Sequence, residues 1–182
     1  IGCGHIGRRL LRYLAPFECE ISVYDPYIPR EFADAFDFTL TSLERIMADS
    51  DVVVCLAPIT PSTRGMLGRQ EMGLLKSGSV FVNVSRGAIV QTDALIERLS
   101  VGDVTASLDV FDPEPIPLDS PIRRMDNVFL SPHNAAFVDS SQGRYFHLMV
   151  CELERFFSGH ETRYDLTDRS MANRSGGAPP PR

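Results

Sequence analysis

Ile1-Gly2-Cys3-Gly4-His5-Ile6-Gly7 opens the chain with the spacing Gly-x-Gly-x-x-Gly and leads directly into an amphipathic stretch that ends near Leu14. In such a loop the first glycine permits a tight turn, the second lets a pyrophosphate approach the backbone, and the third allows close helix packing. The helix that follows offers amide donors and a partial positive charge. The motif alone is a weak signal, but it favours a dinucleotide-binding site.

A possible ribose-binding acid follows at a suitable distance. Residues 21–24 are predicted to form a short strand, and the strand ends at Asp25, 18 residues after Gly7. An acid at about this position binds ribose hydroxyls and repels a 2′-phosphate. Pro26 and Tyr27, which come next, offer no guanidinium for such a phosphate. The loop and Asp25 together favour NAD over NADP, with a plain turn and a surface aspartate as the alternative.

Short apolar runs alternate with helical stretches along most of the chain. The runs are almost continuously apolar, which is typical of strands buried on both faces of a sheet. This alternation predicts an α/β fold, a Rossmann-type doubly wound parallel sheet with helices on both faces. The predicted strands are residues 21–24, 51–56, 79–84, 104–110 and 128–130.

The apolar spacing changes near the end of the chain. From Asp139 it predicts a long helix of about five turns, which Gly159 is placed to end. After Asp168 apolar residues almost vanish, and we expect a disordered tail. The predicted organisation is an NAD-binding domain over residues 1–150, a segment over 151–168 that returns towards a substrate domain, and a tail over 169–182.

Composition and charge exclude several classes of protein. The 182 residues are 43% hydrophobic and 23% charged, which is ordinary for a globular protein. A net charge of -6 without a basic cluster argues against nucleic-acid binding. No apolar run approaches the roughly 18 residues of a membrane span, and no export signal is visible, so we expect a soluble, cytoplasmic protein. The four cysteines are widely spaced, which predicts reduced core thiols and no metal site.

Four ionisable residues lie at or just after the ends of the later predicted strands. They are Arg86, Asp109, Glu114 and His133. In an open parallel sheet, ligands bind at the edge formed by the carboxyl ends of the strands. Each residue alone has a structural explanation: a loop charge, a turn former, a surface acid and a structural histidine. Their coincidence along one edge favours a functional site.

The four side chains form a coherent set for hydride transfer at a carbinol carbon. An imidazole is well suited to exchange a proton near neutral pH, which predicts His133 as the acid/base. A nearby carboxylate, Glu114, would orient the ring and stabilise its charged form. Arg86 can clamp a substrate carboxylate with two parallel hydrogen bonds. Asp109 is expected beside the nicotinamide.

Five motifs in order resemble the D-isomer-specific 2-hydroxyacid dehydrogenase family, and the resemblance extends to about Asp165. They are the glycine loop, Pro58-Ile-Thr-Pro-Ser-Thr63, Asn83-Val-Ser-Arg-Gly87, Asp109-Val-Phe-Asp-Pro-Glu-Pro115 and Ser131-Pro-His-Asn-Ala135. The resemblance implies an NAD-dependent enzyme that oxidises D-2-hydroxyacids or reduces 2-oxoacids. Arg86, Glu114 and His133 would be its catalytic residues.

The resemblance also implies a homodimer and a set of cofactor contacts. Beyond the glycines Gly2, Gly4 and Gly7, these contacts are His5, Ile6, Asp25, Pro58, Thr63, Val84, Ser85, Arg86, Asp109, His133, Ala135 and Ala136. Some relatives with this fold act as corepressors that respond to NADH. An NAD(H)-sensing corepressor-like module without turnover is therefore the alternative, although retention of the whole catalytic set favours the enzyme.

The sequence departs from the family pattern at two places. Asn134 follows the histidine where the family usually has an aliphatic residue or threonine. Family members also carry roughly a hundred residues and a complete strand before the glycine loop, and here that strand is reduced to Ile1. We therefore expect a Rossmann domain whose first strand is largely missing, from a fragment of a longer protein. The alternative is a shortened gene product.

Overall fold

A computed structural model of the chain describes residues 1–165. Helices and strands alternate along it, as the apolar runs predict. In chain order they are α1 His5–Leu14, β1 Ser22–Val23, α2 Arg30–Phe36, β2 Thr39–Leu40, α3 Leu43–Asp49, β3 Val52–Cys55, α4 Arg69–Gly73, β4 Val80–Asn83, α5 Thr92–Ser100, β5 Thr105–Leu108, β6 Val128–Leu130 and α6 Asp139–Phe157.

Strand pairing is parallel throughout the described residues. One sheet has the order β3-β4-β5-β6, and a second, two-stranded sheet pairs β1 with β2. In the larger sheet Val52 is paired with Val80, Val80 with Thr105, and Ala106 with Val128. Because parallel strands end at the same edge, the loops that follow them also meet there. The predicted α/β class and parallel sheet are confirmed.

Two elements between residues 30 and 40 were not predicted from the sequence. The strand β2 has only two residues, so it is too short to show a periodicity, and it exists because it pairs with β1. The helix α2 precedes it and is held by aromatic packing, with the rings of Phe32 and Phe36 stacked at 4.3 Å. Phe32 also contacts Phe38, which is buried.

The apolar core consists of two clusters. The larger surrounds β3, β4 and β5, and Phe81 and Leu67 are fully buried in it. The smaller lies under α1, where Leu11 packs with Val23. The four cysteines are free, but only Cys3 and Cys55 are buried, while Cys19 is exposed and Cys151 half-buried. The prediction of core thiols is therefore correct for two of them.

The long C-terminal helix is confirmed. α6 covers 19 residues, and Gly159 follows its end with a φ of 72° and an amide that donates to the Phe156 carbonyl. The helix continues past residue 150, where the sequence suggested a domain boundary, and that division stays a prediction. The predicted tail lies outside the described residues. Within residues 1–165, none of the helices combines the length and apolar content that a bilayer crossing needs.

The turn after β4 lies directly against the segment after β5. A Cβ atom on Gly87 would lie 1.9 Å from the carbonyl carbon of Phe111, so only glycine permits this approach. The contact places Arg86 beside the segment that begins at Asp109. A single glycine therefore sets the spacing of two loops at the ligand-binding edge.

We predict that Gly87→Ala lowers the free energy of unfolding by about 3 kcal/mol, because the new methyl group must displace backbone. Gly73→Ala is the matched control, since a Cβ there meets no atom within 4 Å. It should leave stability unchanged or slightly raised, because alanine is favoured at the end of a helix over glycine. Urea unfolding of the two variants measures the difference. Equal stabilities would contradict the close approach.

Candidate active site

The glycine loop is shaped by two structural glycines and one open position. A Cβ on Gly2, whose φ is 83°, would lie 2.7 Å from the Ala57 backbone, and one on Gly7 would lie 2.9 Å from the Gly2 carbonyl oxygen. A Cβ on Gly4 would meet no atom within 4 Å. No side chain caps the N-terminus of α1, which begins at His5. The free amides and the space above Gly4 fit a pyrophosphate.

Asp25 is fixed beside this loop by two backbone amides. Its Oδ2 accepts a hydrogen bond from the Cys3 amide and its Oδ1 one from the Tyr27 amide, both at 2.8 Å. Each carboxylate oxygen keeps a second lone pair. The side chain can therefore still accept ribose hydroxyls. The residues around the glycine loop thus fit NAD, as the sequence predicts.

Hydrogen bonds from a threonine hydroxyl group stabilise the loop after β3. Thr63 donates through Oγ1 to the Pro58 carbonyl at 2.7 Å, and the same oxygen accepts from the Thr60 amide at 2.8 Å. The Ser85 hydroxyl in the next loop donates to the Ala57 carbonyl. Ala57 also lies against Gly2, so the loops after β3 and β4 are joined to the glycine loop.

Asn83 organises the turn that carries Arg86. Its side chain is 1% exposed, donates to the Arg86 carbonyl and accepts from the Ser85 amide, both at 3.1 Å. The Arg86 guanidinium is exposed and donates to the Ser85 carbonyl at 2.6 Å. This role of Asn83 is not predicted from the sequence. The sequence feature that could have indicated this role is a polar residue at the end of an otherwise apolar strand.

Glu114 and His133 meet as the sequence predicts. His133 Nδ1 lies 2.8 Å from Glu114 Oε1, and both side chains are partly exposed. With Nδ1 engaged, Nε2 is the ring nitrogen left to exchange a proton with a ligand. The Arg86 guanidinium donates within its own turn, to the Ser85 carbonyl. The structure therefore brings the acid and the histidine together, while Arg86 stands on the neighbouring loop.

Asp109 holds the turn that bears His133. The residue is 3% exposed. Its Oδ1 accepts the Ser131 hydroxyl at 2.6 Å and the Asn134 amide at 2.9 Å, and its Oδ2 accepts the Ala135 amide at 3.0 Å. His133 itself adopts a φ of 52°, which is uncommon for a residue other than glycine. The role of Ser131 as a donor to Asp109 is not predicted from the sequence, because a serine before proline carries no distinct signal.

These hydrogen bonds determine the charge state of Asp109. Burial disfavours the carboxylate, but the bonds from the Ser131 hydroxyl and the amides of Ala135 and Asn134 outweigh it, and nearby His133 adds to their effect. The pKa of Asp109 therefore lies below its ordinary value. The three donors of the turn therefore favour the ionised form of the Asp109 carboxylate.

The other predicted cofactor contacts differ in exposure. Asp25, Thr63 and Ser85 are half-buried, and Asp109 is buried. The remaining side chains are exposed along the same edge of the sheet, and they are His5, Ile6, Pro58, Val84, Arg86, His133, Ala135 and Ala136. Their contacts with a cofactor stay predictions.

A comparison with protein families identifies the family to which this chain belongs. Residues 1–135 match the family described as D-isomer specific 2-hydroxyacid dehydrogenase, NAD binding domain. The chain belongs to this family. The match includes the glycine loop and extends just past His133, so it contains every predicted site residue except Ala136. NAD is therefore the cofactor that this domain of the dehydrogenase family binds.

Individual members of the dehydrogenase family agree with this assignment. D-3-phosphoglycerate dehydrogenase of Methanocaldococcus jannaschii is 36% identical over 144 residues, which cover 78% of this chain and 27% of the relative. Formate dehydrogenase of Arabidopsis thaliana is 35% identical over 181 residues, which cover 94% and 46%. A crystal structure of a phosphoglycerate oxidoreductase from Rhizobium etli superimposes with a TM-score of 0.79 at 30% identity, covering 89% and 49%.

The chain thus spans half or less of the length of these relatives. The superposition confirms the Rossmann-type fold within the dehydrogenase family. Nothing in these comparisons supports the corepressor-like alternative.

We predict that Asp109→Asn lowers the free energy of unfolding by about 2 kcal/mol at pH 7, because an amide nitrogen would face a backbone donor. The folded pKa is depressed, so the stabilisation by the carboxylate is fully present above the unfolded pKa of about 3.9. It is lost as the pH falls through the folded pKa. The difference from wild type should therefore shrink only below about pH 3.9.

Urea unfolding between pH 7 and the acid limit measures this difference. Asp112→Asn is the control, because that side chain is exposed. It should match wild type at every pH. A difference for Asp109→Asn that stays constant below pH 3 would contradict the assigned role of its charge.

Proposed function

We propose that this chain supplies the cofactor-binding and proton-transferring half of a D-2-hydroxyacid dehydrogenase. The reaction is the interconversion of a D-2-hydroxyacid and its 2-oxoacid. The observation that carries the proposal is the 2.8 Å contact between His133 and Glu114 at the sheet edge that also bears the glycine loop. An imidazole backed by a carboxylate is an arrangement suited to general acid–base catalysis.

Each ionisable residue has a distinct role in this proposal. His133 removes the hydroxyl proton of the hydroxyacid through Nε2, or returns it to the oxoacid. Glu114 orients the ring through Nδ1 and stabilises its charged form. Arg86 binds the substrate carboxylate with the guanidinium donors that Ser85 leaves available. When bound, NAD supplies the acceptor for the hydride from the substrate carbon.

NAD, and not NADP, is the proposed cofactor form. Two amides hold the Asp25 carboxylate beside the glycine loop, where it would bind the ribose hydroxyls and its charge would repel a 2′-phosphate. We also propose a homodimer and a cytoplasmic location. The homodimer rests on the family resemblance.

We predict that His133→Gln reduces 2-oxoacid reduction by at least about 100-fold, since general acid catalysis typically contributes that much. The affinity for NADH should stay within about threefold, because the change lies at the proton-transfer position. NADH binding is measured by fluorescence titration, and turnover by 2-oxoacid-dependent oxidation of NADH, both on the full-length protein. The test substrates are glyoxylate, hydroxypyruvate, pyruvate and 2-oxoglutarate.

Two further variants control this experiment. His147→Gln changes an exposed histidine of α6 and should leave both readouts unchanged. Glu114→Gln keeps a hydrogen-bond partner for His133 but removes the charge, so it should reduce turnover less than His133→Gln does. NADH binding without reduction of any test substrate by the wild type would refute the enzyme and favour a sensor.

We predict that Asp25→Asn weakens NADH binding by about tenfold, as expected for the loss of one charge-assisted hydrogen bond. The same variant should bind NADPH at least as well as wild type, because the repulsion of the 2′-phosphate is removed. Asp34→Asn, an exposed change on α2, is the control. If Asp25→Asn weakened both cofactors equally, the role of its charge in selecting NAD would be disproved.

A further inference from the structure

Glu114 lies in the middle of a proline-rich segment, residues 112–117, which we call the acid segment. Its sequence is Asp-Pro-Glu-Pro-Ile-Pro, so a proline stands at every second position. Proline fixes its own φ, restricts the residue before it and has no amide hydrogen. The acid segment is therefore stiff, but it can donate few backbone hydrogen bonds of its own. Its position depends on donors elsewhere in the chain.

Apolar packing supports the acid segment incompletely. Phe111, just before the segment, and Ile116, within it, contact the larger core cluster. A cavity of about 270 Å³ separates this part of the chain from α5, and its walls include both residues together with Leu95 and Ile96. A segment that spans a cavity can shift with the loss of few buried contacts. Hydrogen bonds at the two ends of the segment therefore decide where Glu114 lies.

Side chains from two other parts of the fold bind the carbonyl groups at these ends. At the start of the acid segment, the hydroxyl of Thr92, the first residue of α5, donates to the Asp112 carbonyl. At its end, the Arg123 guanidinium donates through Nε to the Pro117 carbonyl at 2.9 Å and through Nη2 to the Ile116 carbonyl at 2.7 Å. Because a guanidinium is planar, its two bonds fix the direction of the chain as well as its distance.

Arg123 is itself attached to the core. It lies in a short 3₁₀ helix, Pro121–Arg124, in which Ile122 is 4% exposed and belongs to the larger core cluster. The Arg123 amide also donates to the Ser120 carbonyl at 3.2 Å. Arg123 therefore links the acid segment to a fixed point of the fold.

We propose that Arg123 and Thr92 are positioning residues that hold Glu114 at hydrogen-bond distance from His133. The proposal rests on the acid–base role proposed for His133. Each positioning residue acts through backbone carbonyls at one end of the acid segment. With both ends held, the Glu114 carboxylate stays 2.8 Å from His133 Nδ1. It then favours the tautomer with hydrogen on Nδ1, which leaves Nε2 free to accept the proton of a hydroxyacid.

The first test measures the tautomer of His133 by nitrogen-15 NMR of the full-length protein. The signals of the ring are identified by their absence in His133→Gln, and the spectra are recorded at about pH 9, where a neutral imidazole is observed. Wild type should show hydrogen on Nδ1. Glu114→Ala removes the acceptor and should show the Nε2–H tautomer that a free imidazole prefers. Arg123→Gln should convert at least about half of the rings to that form, because the carboxylate is no longer held beside Nδ1.

The neighbouring arginine provides the matched control. Arg124→Gln removes the same charge from an exposed side chain one residue later, and it should leave the tautomer as in wild type. The ring signals of His147 and His160 report on the fold, and they should be unchanged in Arg123→Gln. A wild-type tautomer in Arg123→Gln, together with its loss in Glu114→Ala, would overturn the proposal.

The other end of the acid segment is tested by a conservative pair of variants. Thr92→Val keeps the shape of the side chain but removes the hydroxyl, and it should shift the tautomer as Arg123→Gln does. Thr92→Ser keeps the hydroxyl and should restore the wild-type tautomer. Neither change alters charge, so this pair tests the proposal even if Arg123→Gln fails to fold. Equal tautomer populations in the two Thr92 variants would contradict it.

Turnover separates the positioning role from the proposed function. Arg123→Gln should lower kcat for 2-oxoacid reduction by about tenfold, since misplacing a catalytic group by about 1 Å can cost about 100-fold. Its affinity for NADH should stay within about twofold of wild type, because the glycine loop is unchanged. A changed tautomer with an unchanged kcat would refute the acid–base role of His133 and support the positioning of Glu114. A lowered kcat with an unchanged tautomer would overturn the positioning and leave the role of His133 intact.

Discussion

The carboxylate of Asp109 supports the turn on which the candidate chemistry depends. It directly follows β5, is buried, and accepts three hydrogen bonds from the segment after β6. These bonds stabilise a backbone in which His133 has a positive φ, a conformation that is unfavourable for histidine without such support. In this conformation the imidazole meets Glu114, which reaches it from the loop after β5. A buried charge thus positions an exposed proton carrier.

The parallel register explains why residues distant in sequence form one site. β4, β5 and β6 end side by side, so the turns at Arg86, Asp109 and His133 become neighbours. Fine spacing then comes from local contacts. Gly87 lets the Arg86 turn approach Phe111, and Asn83 fixes the backbone of that turn. The sheet therefore supplies the order of the functional groups, while small and polar residues after the strands set the distances.

The sequence predicts those features that depend on local pattern. Apolar runs locate the strands around residues 52, 80, 105 and 128, because a strand buried on both faces must be apolar throughout. β2 has two residues and depends on a partner, so no local pattern could indicate it. The contact between Glu114 and His133 was predicted through a known motif. The roles of Asn83 and Ser131 depend on backbone groups that become neighbours only in the folded chain.

Gly2 contacts residues that follow a strand of each sheet. Its amide donates to the carbonyl of Tyr24, which follows β1, and its backbone lies against Ala57 in the loop after β3. The same residue begins the turn that presents the free amides of α1. α1 offers its uncapped N-terminus to a phosphate, while Leu11 on the same helix packs against Val23 in the smaller core cluster. The geometry of the phosphate site therefore depends on the packing behind it.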